Sequence, residues 1–196
     1  MNEQVLLFRE RLQQKLTPLR YEHSIGVSYT AMALAMRYGC SLEKAEIAGL
    51  LHDCAKHFED SEIIDKCRKH KIPLTEDELK APAVLHATYG AWLAEYRYGI
   101  KDEEIISAIR WHTTGKEDMT LLEKIIYIAD YIEPRRYKAE DLDEMRRLAF
   151  IDLDETMFRI LDGTLKYLEG KKSSVDSMTR EAYEYYKRHR NFLKGE

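Results

Sequence analysis

The stretch GLLHDCAKHF, from Gly49 to Phe58, places a histidine and a carboxylate side by side at the end of an apolar run. His52 and Asp53 are adjacent, and the cation Lys56 follows three residues after Asp53. Imidazole and carboxylate groups are common protein ligands of transition metals. The stretch therefore indicates metal coordination at a point where a core helix should end.

Four further metal-capable side chains fall on helical faces that packing would otherwise fill with aliphatic residues: His23, His86, His112 and Asp130. An unpaired carboxylate buried on such a face is strongly destabilising, and a buried histidine needs a partner for each ring nitrogen. Coordination of a cation satisfies groups of this kind together. The set extends the metal hypothesis beyond the first pair.

A structural explanation exists for each of these residues taken alone. A single histidine on an apolar helical face is more often a satisfied core or capping residue than a ligand. Asp130 alone fits a plain hydrogen-bonding residue or a cap for a neighbouring helix. The joint occurrence of these side chains at helix ends is what favours a metal site. The remaining histidines lie among charged residues and are interpreted as solvated: His57, His70 and His189.

The elements that must position these side chains are helices, because apolar residues recur at three-and-four spacing almost throughout. The predicted helices cover about residues 3–16, 21–38, 42–52, 61–70, 82–98, 103–112, 121–133, 141–169 and 174–192. Pro82 is predicted in an early turn of its helix, and Gly163 marks an expected break in the helix over 141–169.

The helix boundaries rest on capping residues. Ser41 and Asp102 are the expected N-caps of two helices, and Thr120 with Glu123 forms a capping-box pattern before a third. Gly39 is an expected C-terminal stop. The sequence thus predicts an all-α fold in one domain over 1–196, a bundle of seven to nine helices with a core at about 15–135 and C-terminal helices at about 140–192.

The composition narrows the class of protein. The 196 residues are 44% hydrophobic and 34% charged with 9 Gly and 4 Pro, which is typical of a folded, helix-rich chain. The net charge of −4 gives no general attraction to a nucleic-acid polymer or an anionic membrane, so neither is an expected partner. Binding of phosphate must then depend on local cations or metals.

The cysteines and the N-terminus predict a cytoplasmic protein. Cys40, Cys54 and Cys67 have no CxxC spacing, which favours core filler over disulfides or a cysteine-ligated zinc site. No apolar run approaches the roughly 18 residues needed to span a membrane. The charged N-terminal segment MNEQVLLFRERL lacks the apolar region of a signal peptide.

The ordered set of a histidine, a His-Asp pair and a later aspartate resembles the signature of the HD-domain phosphohydrolase superfamily. His23, His52–Asp53 and Asp130 carry it. The segments LRYEHSIGV, GLLHDCAK, LHATYGAWLA, IRWHTTG and KIIYIADYIEPRR together resemble the YqeK family, HD-domain hydrolases that split diadenosine tetraphosphate symmetrically. The resemblance covers about residues 15–190 in order and spacing.

The resemblance implies a buried site for two divalent metal ions in an HD-type helical bundle. The first ion would be held by His23, His52, Asp53 and Asp130, and Asp53 would bridge to a second ion that His86 and His112 complete. The metals of that family are usually iron, with manganese or another transition metal as alternatives. Neighbouring helical residues diverge by about 100°, so His52 can serve one ion while Asp53 lies between both.

The positions of residues beside the expected ligands also suggest which of them contact substrate. Asp53 and Lys56 are the expected catalytic residues, and Lys56 is expected to reach the phosphate chain. Other candidate substrate contacts are Thr113, Thr114, Arg135 and Arg136. A lone lysine or an arginine pair at a helix end is usually a solvated face, so that alternative stays open. The tyrosine-rich segment EAYEYYKRHRNF is interpreted as a docked helix rather than a base-stacking platform.

The function implied is symmetrical hydrolysis of dinucleoside tetraphosphates, with a dinucleoside polyphosphate or nucleoside diphosphate as ligand. A generic HD-domain nucleotide phosphatase and a non-catalytic nucleotide sensor are the alternatives. The chain lacks the Gly-Tyr-Pro motif of cyclic-dinucleotide phosphodiesterases and the acidic pair that follows the HD in alarmone hydrolases. All six expected ligands are present, which favours an enzyme over a sensor. A homodimer is left open.

Overall fold

A computed structural model describes residues 3–137, 139, 141–171 and 174–189 of the protein. Over these residues the chain forms eleven α-helices, a 3-10 turn at Pro82–Val84 and no β-strand. The helices are α1 (Glu3–Lys15), α2 (Pro18–Tyr38), α3 (Leu42–Leu51), α4 (Asp60–His70), α5 (Glu76–Lys80), α6 (Leu85–Tyr96), α7 (Glu103–Trp111), α8 (Leu121–Ile132), α9 (Leu142–Leu148), α10 (Leu153–Gly170) and α11 (Ser177–His189). The all-α fold class is confirmed.

The helix boundaries follow the expected capping chemistry. Ser41 accepts a hydrogen bond from a backbone N–H at the start of α3, and Asp102 does the same for α7. Thr120 and Glu123 form the reciprocal capping box of α8. Gly39 ends α2 in the left-handed region at φ 74°, a conformation that glycine adopts without strain.

Two features raise the helix number above the seven to nine predicted. The short helix α5 was not predicted; Thr75 starts it through a capping box with Glu78. The segment predicted as one helix over 141–169 forms two helices, and the break falls at residues 149–152 rather than near Gly163. Asp152 causes the restart because its side chain accepts a hydrogen bond from the Glu155 backbone N–H.

Other boundaries differ by small amounts. Pro82 opens a 3-10 turn that precedes α6 instead of lying within the first turn of the helix. The predicted last helix, 174–192, is observed as Ser177–His189, and residues 190–192 lie outside the described range.

The core lies where α2, α3, α7 and α8 pack against one another. Leu34, Leu50, Ile109 and Ile126 are fully buried side chains from these four helices. Buried hydrophobic residues of the described chain form one cluster from α1 to α11. Cys54 and Cys67 are buried and Cys40 is half-buried; all three thiols are free.

Close contact between α2 and α3 depends on a glycine. A Cβ built at Gly49 would lie 2.8 Å from the Ser28 Cα atom, so a larger residue would push the two backbones apart. His23 lies on α2, and His52 follows Gly49 by three residues. The tight contact holds the two imidazole rings together, with their centroids 5.2 Å apart.

The C-terminal helices cover one side of this core. α10 packs against α8, α9 and α11. In α11, Ala182 and Tyr186 are buried, and the Tyr186 hydroxyl accepts a hydrogen bond of 3.2 Å from the Met119 backbone N–H. The described part of the tyrosine-rich segment is therefore a docked helix, as predicted. Within the described ranges, no helix is both long and apolar enough to cross a membrane.

Candidate metal centre

Ends of separate helices bring the six expected ligands together. His23 lies in the second turn of α2, His52 and Asp53 directly follow α3, and His112 directly follows α7. His86 lies in the first turn of α6, and Asp130 lies in the last turn of α8. All but Asp130 are buried, and the Asp130 side chain is 21% exposed.

One group of atoms surrounds the Oδ2 side of Asp53. His52 Nε2 lies 3.4 Å and His23 Nε2 lies 3.8 Å from this oxygen. Asp130 Oδ1 lies 3.0 Å from His23 Nε2 and 3.9 Å from His52 Nε2. These four side chains match the set expected to hold the first ion.

A second group surrounds the other oxygen of Asp53. Oδ1 lies 3.3 Å from His86 Nε2 and 3.6 Å from His112 Nε2. The two Nε2 atoms lie 3.2 Å apart. Each oxygen of one carboxylate thus faces a different pair of histidines, which is the arrangement that a bridging ligand requires.

Hydrogen bonds at Nδ1 fix the orientation of all four histidines. His52, His86 and His112 each lie with Nδ1 2.7–2.8 Å from the backbone carbonyl three residues earlier. His23 Nδ1 lies 3.1 Å from a carboxylate oxygen of Glu133. Since these oxygens only accept, each Nδ1 carries a proton, and it is the Nε2 lone pair of each ring that a cation in the centre would meet.

These lone pairs make the centre a fitting site for cations. The His52 Nε2 atom is buried without a hydrogen-bond partner among the described residues, and His23 Nε2 faces the Asp130 carboxylate oxygen at 3.0 Å. Burial lowers the pKa of His86 to about 4, so that ring is neutral and its Nε2 faces the equivalent atom of His112. Four imidazole nitrogens with two carboxylates form a nitrogen and oxygen donor set suited to iron, zinc and similar ions. The residues present therefore fit the expected metals.

The charges of the centre are mutually dependent. Burial raises the pKa of Asp53, but the imidazoles around its two oxygens, with His52 first among them, hold it well below its usual range. Burial lowers the pKa of His23, but hydrogen bonds to Asp130 and Glu133 raise it to about 9. Without a cation His23 binds a second proton, which occupies the same side of the ring as a metal would.

Glu133 is a functional residue that sequence reasoning missed. It is buried, contacts His23 Nδ1 and also accepts a 2.8 Å hydrogen bond from the Arg135 backbone N–H. A Cβ at Gly26 would lie 2.5 Å from its Oε2, so the glycine leaves room for this carboxylate. In the sequence Glu133 precedes Pro134 at a helix end, where a glutamate is ordinarily solvated. Carboxylates that orient a ligating histidine commonly tune metal affinity.

Arg20 is the second residue that was missed. Its Nη1 lies 2.7 Å from Asp53 Oδ2, and its side chain is 37% exposed. A signal was present, because Arg20 precedes His23 by one helical turn and so shares its face. The guanidinium places a permanent positive charge at the edge of the centre.

Three of the candidate substrate contacts lie near the centre. Lys56 is largely buried, and no carboxylate of the described residues lies within ion-pair distance of its ammonium; burial lowers the pKa of this group. The Thr113 hydroxyl lies 3.2 Å from His86 Nε2 and 3.1 Å from His112 Nε2. Arg136 donates to Asp130 Oδ1 at 2.5 Å.

Two other candidates are not brought to the centre. The Thr114 hydroxyl is buried and donates to the Gly115 carbonyl at 2.9 Å, so it is turned into local structure. The Arg135 side chain is 64% exposed and forms an ion pair of 2.7 Å with Glu22. Only the backbone N–H of Arg135 contributes, through its hydrogen bond to Glu133.

The three histidines interpreted as solvated differ from one another. His189 is exposed, as expected. His57 and His70 are half-buried, because His57 packs on Phe58 at 3.9 Å and His70 stacks on Trp92 at 4.0 Å between ring centroids. The solvated interpretation was wrong for these two, since a neighbouring aromatic ring offers apolar contact that charged sequence neighbours do not reveal.

A cavity of about 810 Å³ lies against the centre. His112, Thr113, Asp130 and Arg136 line it, together with residues of α8 and α10. Its volume lies within the usual range for sites that bind small molecules.

Residues 20–135 match the model of the HD-domain family. This range covers more than half of the chain and contains all six expected ligands. The chain belongs to the HD-domain family.

Similar proteins narrow the relationship. A Bacillus subtilis (strain 168) protein named symmetrical bis(5'-nucleosyl)-tetraphosphatase is 42% identical over 84% of this chain and 87% of that protein. A Staphylococcus aureus protein of the same name is 38% identical over 89% of this chain and 90% of that protein. The resemblance to the YqeK family drawn from the motifs is confirmed.

A solved structure from Clostridium acetobutylicum has the same fold. It is described as a predicted HD superfamily hydrolase involved in NAD metabolism, and its TM-score with this chain is 0.90 at 40% sequence identity. The match covers 93% of this chain and 96% of that one. The helical bundle that positions the centre is therefore shared by the two proteins.

Proposed function

We propose that this chain is a metal-dependent hydrolase that cleaves dinucleoside tetraphosphates, such as diadenosine tetraphosphate, into two nucleoside diphosphates. The observation that carries the proposal is the convergence of four Nε2 atoms on the two oxygens of Asp53. The relatives named as symmetrical bis(5'-nucleosyl)-tetraphosphatases support the choice of substrate.

The ligand sets follow the two sides of Asp53. His23, His52, Asp53 and Asp130 would hold one divalent ion, and Asp53, His86 and His112 would hold the other. We assign iron to both positions, with manganese or another transition metal as the alternative, because imidazole with carboxylate suits these ions. Two such ions would lower the pKa of a bound water molecule and neutralise charge on a phosphoryl oxygen.

The cations of the chain would hold the phosphate groups. Lys56 has a largely buried ammonium without a carboxylate partner among the described residues, so a phosphate oxygen gives it a counter-charge. Arg20 and Arg136 border the centre through Asp53 and Asp130, where they can hold phosphates that extend beyond the reacting one. Thr113 lies where its hydroxyl can donate to a phosphate oxygen.

These contacts would also explain why the tetraphosphate is cleaved at its central anhydride. If they hold one nucleoside diphosphate as a unit, the β-phosphorus is the one presented for attack, and water cleaves the central anhydride. A nucleoside monophosphate held in the same way would give a monophosphate and a triphosphate. Positioning and electrostatic support are most of what phosphoryl transfer asks of a protein.

Chromatography of early products tests the proposal. Metal-loaded protein is incubated with diadenosine tetraphosphate, and ADP as the only nucleotide product is the expected result. Equal AMP and ATP would overturn the symmetrical register. Absence of cleavage, with brisk phosphate release from simple nucleotides, would instead make the chain a generic HD-domain nucleotide phosphatase.

We also propose that the protein works in the cytoplasm, since its three free cysteines suit a reducing compartment. Cell fractionation followed by immunodetection tests the location. A homodimer stays a prediction, which light scattering on the metal-loaded protein tests.

A further inference from the structure

Gly163 is in the interior of α10, where a glycine destabilises a helix relative to an alanine. A Cβ built there would meet no atom within 4 Å, so no close packing contact requires the glycine. The φ angle of Gly163 is not positive, so the backbone conformation does not require a glycine either. Gly163 lines the cavity beside the metal centre, and the absence of a side chain leaves space open in that cavity.

The cavity wall formed by α10 is a single helical face. Its residues recur at a spacing of three and four: Ile160, Gly163, Thr164 and Tyr167. Because Gly163 has no side chain, this face is flat between its neighbours. Tyr127 and Tyr131 of α8 contribute further aromatic surface. Apolar and aromatic walls of this kind suit a planar heterocyclic base.

A few polar groups interrupt the apolar walls. Asp141 lines the cavity and accepts a hydrogen bond of 2.9 Å from the Tyr131 hydroxyl. Thr164 also lines it. A carboxylate and a hydroxyl are suitable partners for the amino group of a base or for ribose hydroxyls.

The cavity is continuous with the metal centre. Asp130 and Arg136 belong both to its lining and to the ion pair at the edge of the centre, and Thr113 connects the lining to the second pair of histidines. A phosphate chain held at the centre therefore extends into the cavity without crossing another element.

We propose that this cavity receives the nucleoside at one end of the polyphosphate substrate, and that Gly163 is the position that determines its fit. The inference rests on the proposed function, because it assigns a place to one half of the same substrate. A nucleoside diphosphate is the smallest ligand that fills the centre and the cavity together, whereas pyrophosphate fills the centre alone.

The test compares these two probes in titration calorimetry on the metal-loaded protein. Gly163→Leu directs a side chain into the cavity and should raise the Kd of ADP by about tenfold or more, with the Kd of pyrophosphate unchanged within about twofold. Gly163→Ala should raise the Tm by about 2–4 °C, because alanine favours the helix. It should raise the Kd of ADP by a smaller factor than Gly163→Leu does.

Gly170→Leu is the matched control. Gly170 belongs to the same helix, has nothing within 4 Å of its Cβ position and is absent from the cavity lining, so both affinities should be unchanged. An unchanged Kd of ADP in Gly163→Leu, or an equal loss of pyrophosphate binding, would overturn the inference. Failure of the wild-type protein to form ADP from diadenosine tetraphosphate would overturn the proposed function and leave this comparison valid.

Discussion

Asp53 is the side chain shared by both halves of the centre. Its Oδ1 faces His86 and His112, and its Oδ2 faces His52 and His23. Asparagine has nearly the same shape but offers one neutral oxygen and an amide that repels cations. A substitution at this one position therefore acts on both proposed ions.

Asp53→Asn should leave the fold intact, lose both metal ions and lower kcat/KM by about a thousandfold or more. Elemental analysis of the purified variant and the rate on diadenosine tetraphosphate measure the two effects. His189→Ala is the control, since His189 is exposed and should change neither quantity. Retention of two ions by Asp53→Asn would contradict the bridging role.

Lys56→Ala should keep both metals but lower kcat/KM by roughly 10–1,000-fold, because a largely desolvated charge contact to phosphate is lost. Steady-state rates at subsaturating substrate measure the loss. The matched control is Lys69→Ala, because Lys69 is exposed on α4 and should have no effect. An unchanged rate in Lys56→Ala would assign this residue a solvated or structural role.

At the scale of the elements, the contact between α2 and the end of α8 orients one ligand. Glu133 directly follows α8 and holds His23 of α2 through Nδ1, and Gly26 of α2 leaves the space that this carboxylate needs. The orientation of His23 thus depends on Glu133 and Gly26, which are distant from each other in sequence and lie on opposite sides of the contact between α2 and the end of α8.

Gly26→Ala should displace the Glu133 carboxylate, because the new Cβ would lie 2.5 Å from Oε2. The affinity for the ion that His23 is proposed to hold should fall by about 10–100-fold. Competition with a chelator of known affinity measures this loss, and Gly170→Ala should show none. Wild-type affinity in both Gly26→Ala and Glu133→Ala would show that Glu133 does not orient the ligand.

At the scale of the whole molecule, the centre connects helices that are far apart in the chain. The side chains proposed as its ligands come from α2, α6 and α8 or from the residues that directly follow α3 and α7. Ions that bind these ligands in the folded state only would stabilise that state. The stability of the bundle and the occupancy of the centre are therefore expected to change together.

Removal of metal by a chelator should lower the Tm of the wild-type protein by about 10–20 °C, the shift expected when free metal at about 100 times its Kd occupies two independent sites. Differential scanning calorimetry with and without the chelator measures the shift. Asp53→Asn should give the same Tm in both conditions. Equal wild-type Tm values with bound metal and with chelator would contradict the link between metal and fold.

The sequence by itself determined the helical class, most capping residues and the six clustered side chains. Local patterns suffice for these, because capping depends on residues within one turn and amphipathic helices repeat at short spacing. The break before α10 was misplaced, since Asp152 is an N-cap whereas Gly163 fits within the helix.

Only the tertiary structure decided which atoms meet. It placed each oxygen of Asp53 against a different histidine pair, brought Glu133 to His23 and Arg20 to Asp53, and kept Thr114 and Arg135 away from the centre. The physical reason is that these contacts join residues up to 110 positions apart, across helices whose separation and rotation are set by close contacts such as that at Gly49. Sequence spacing carries the period of a helix but not the packing that selects its neighbours.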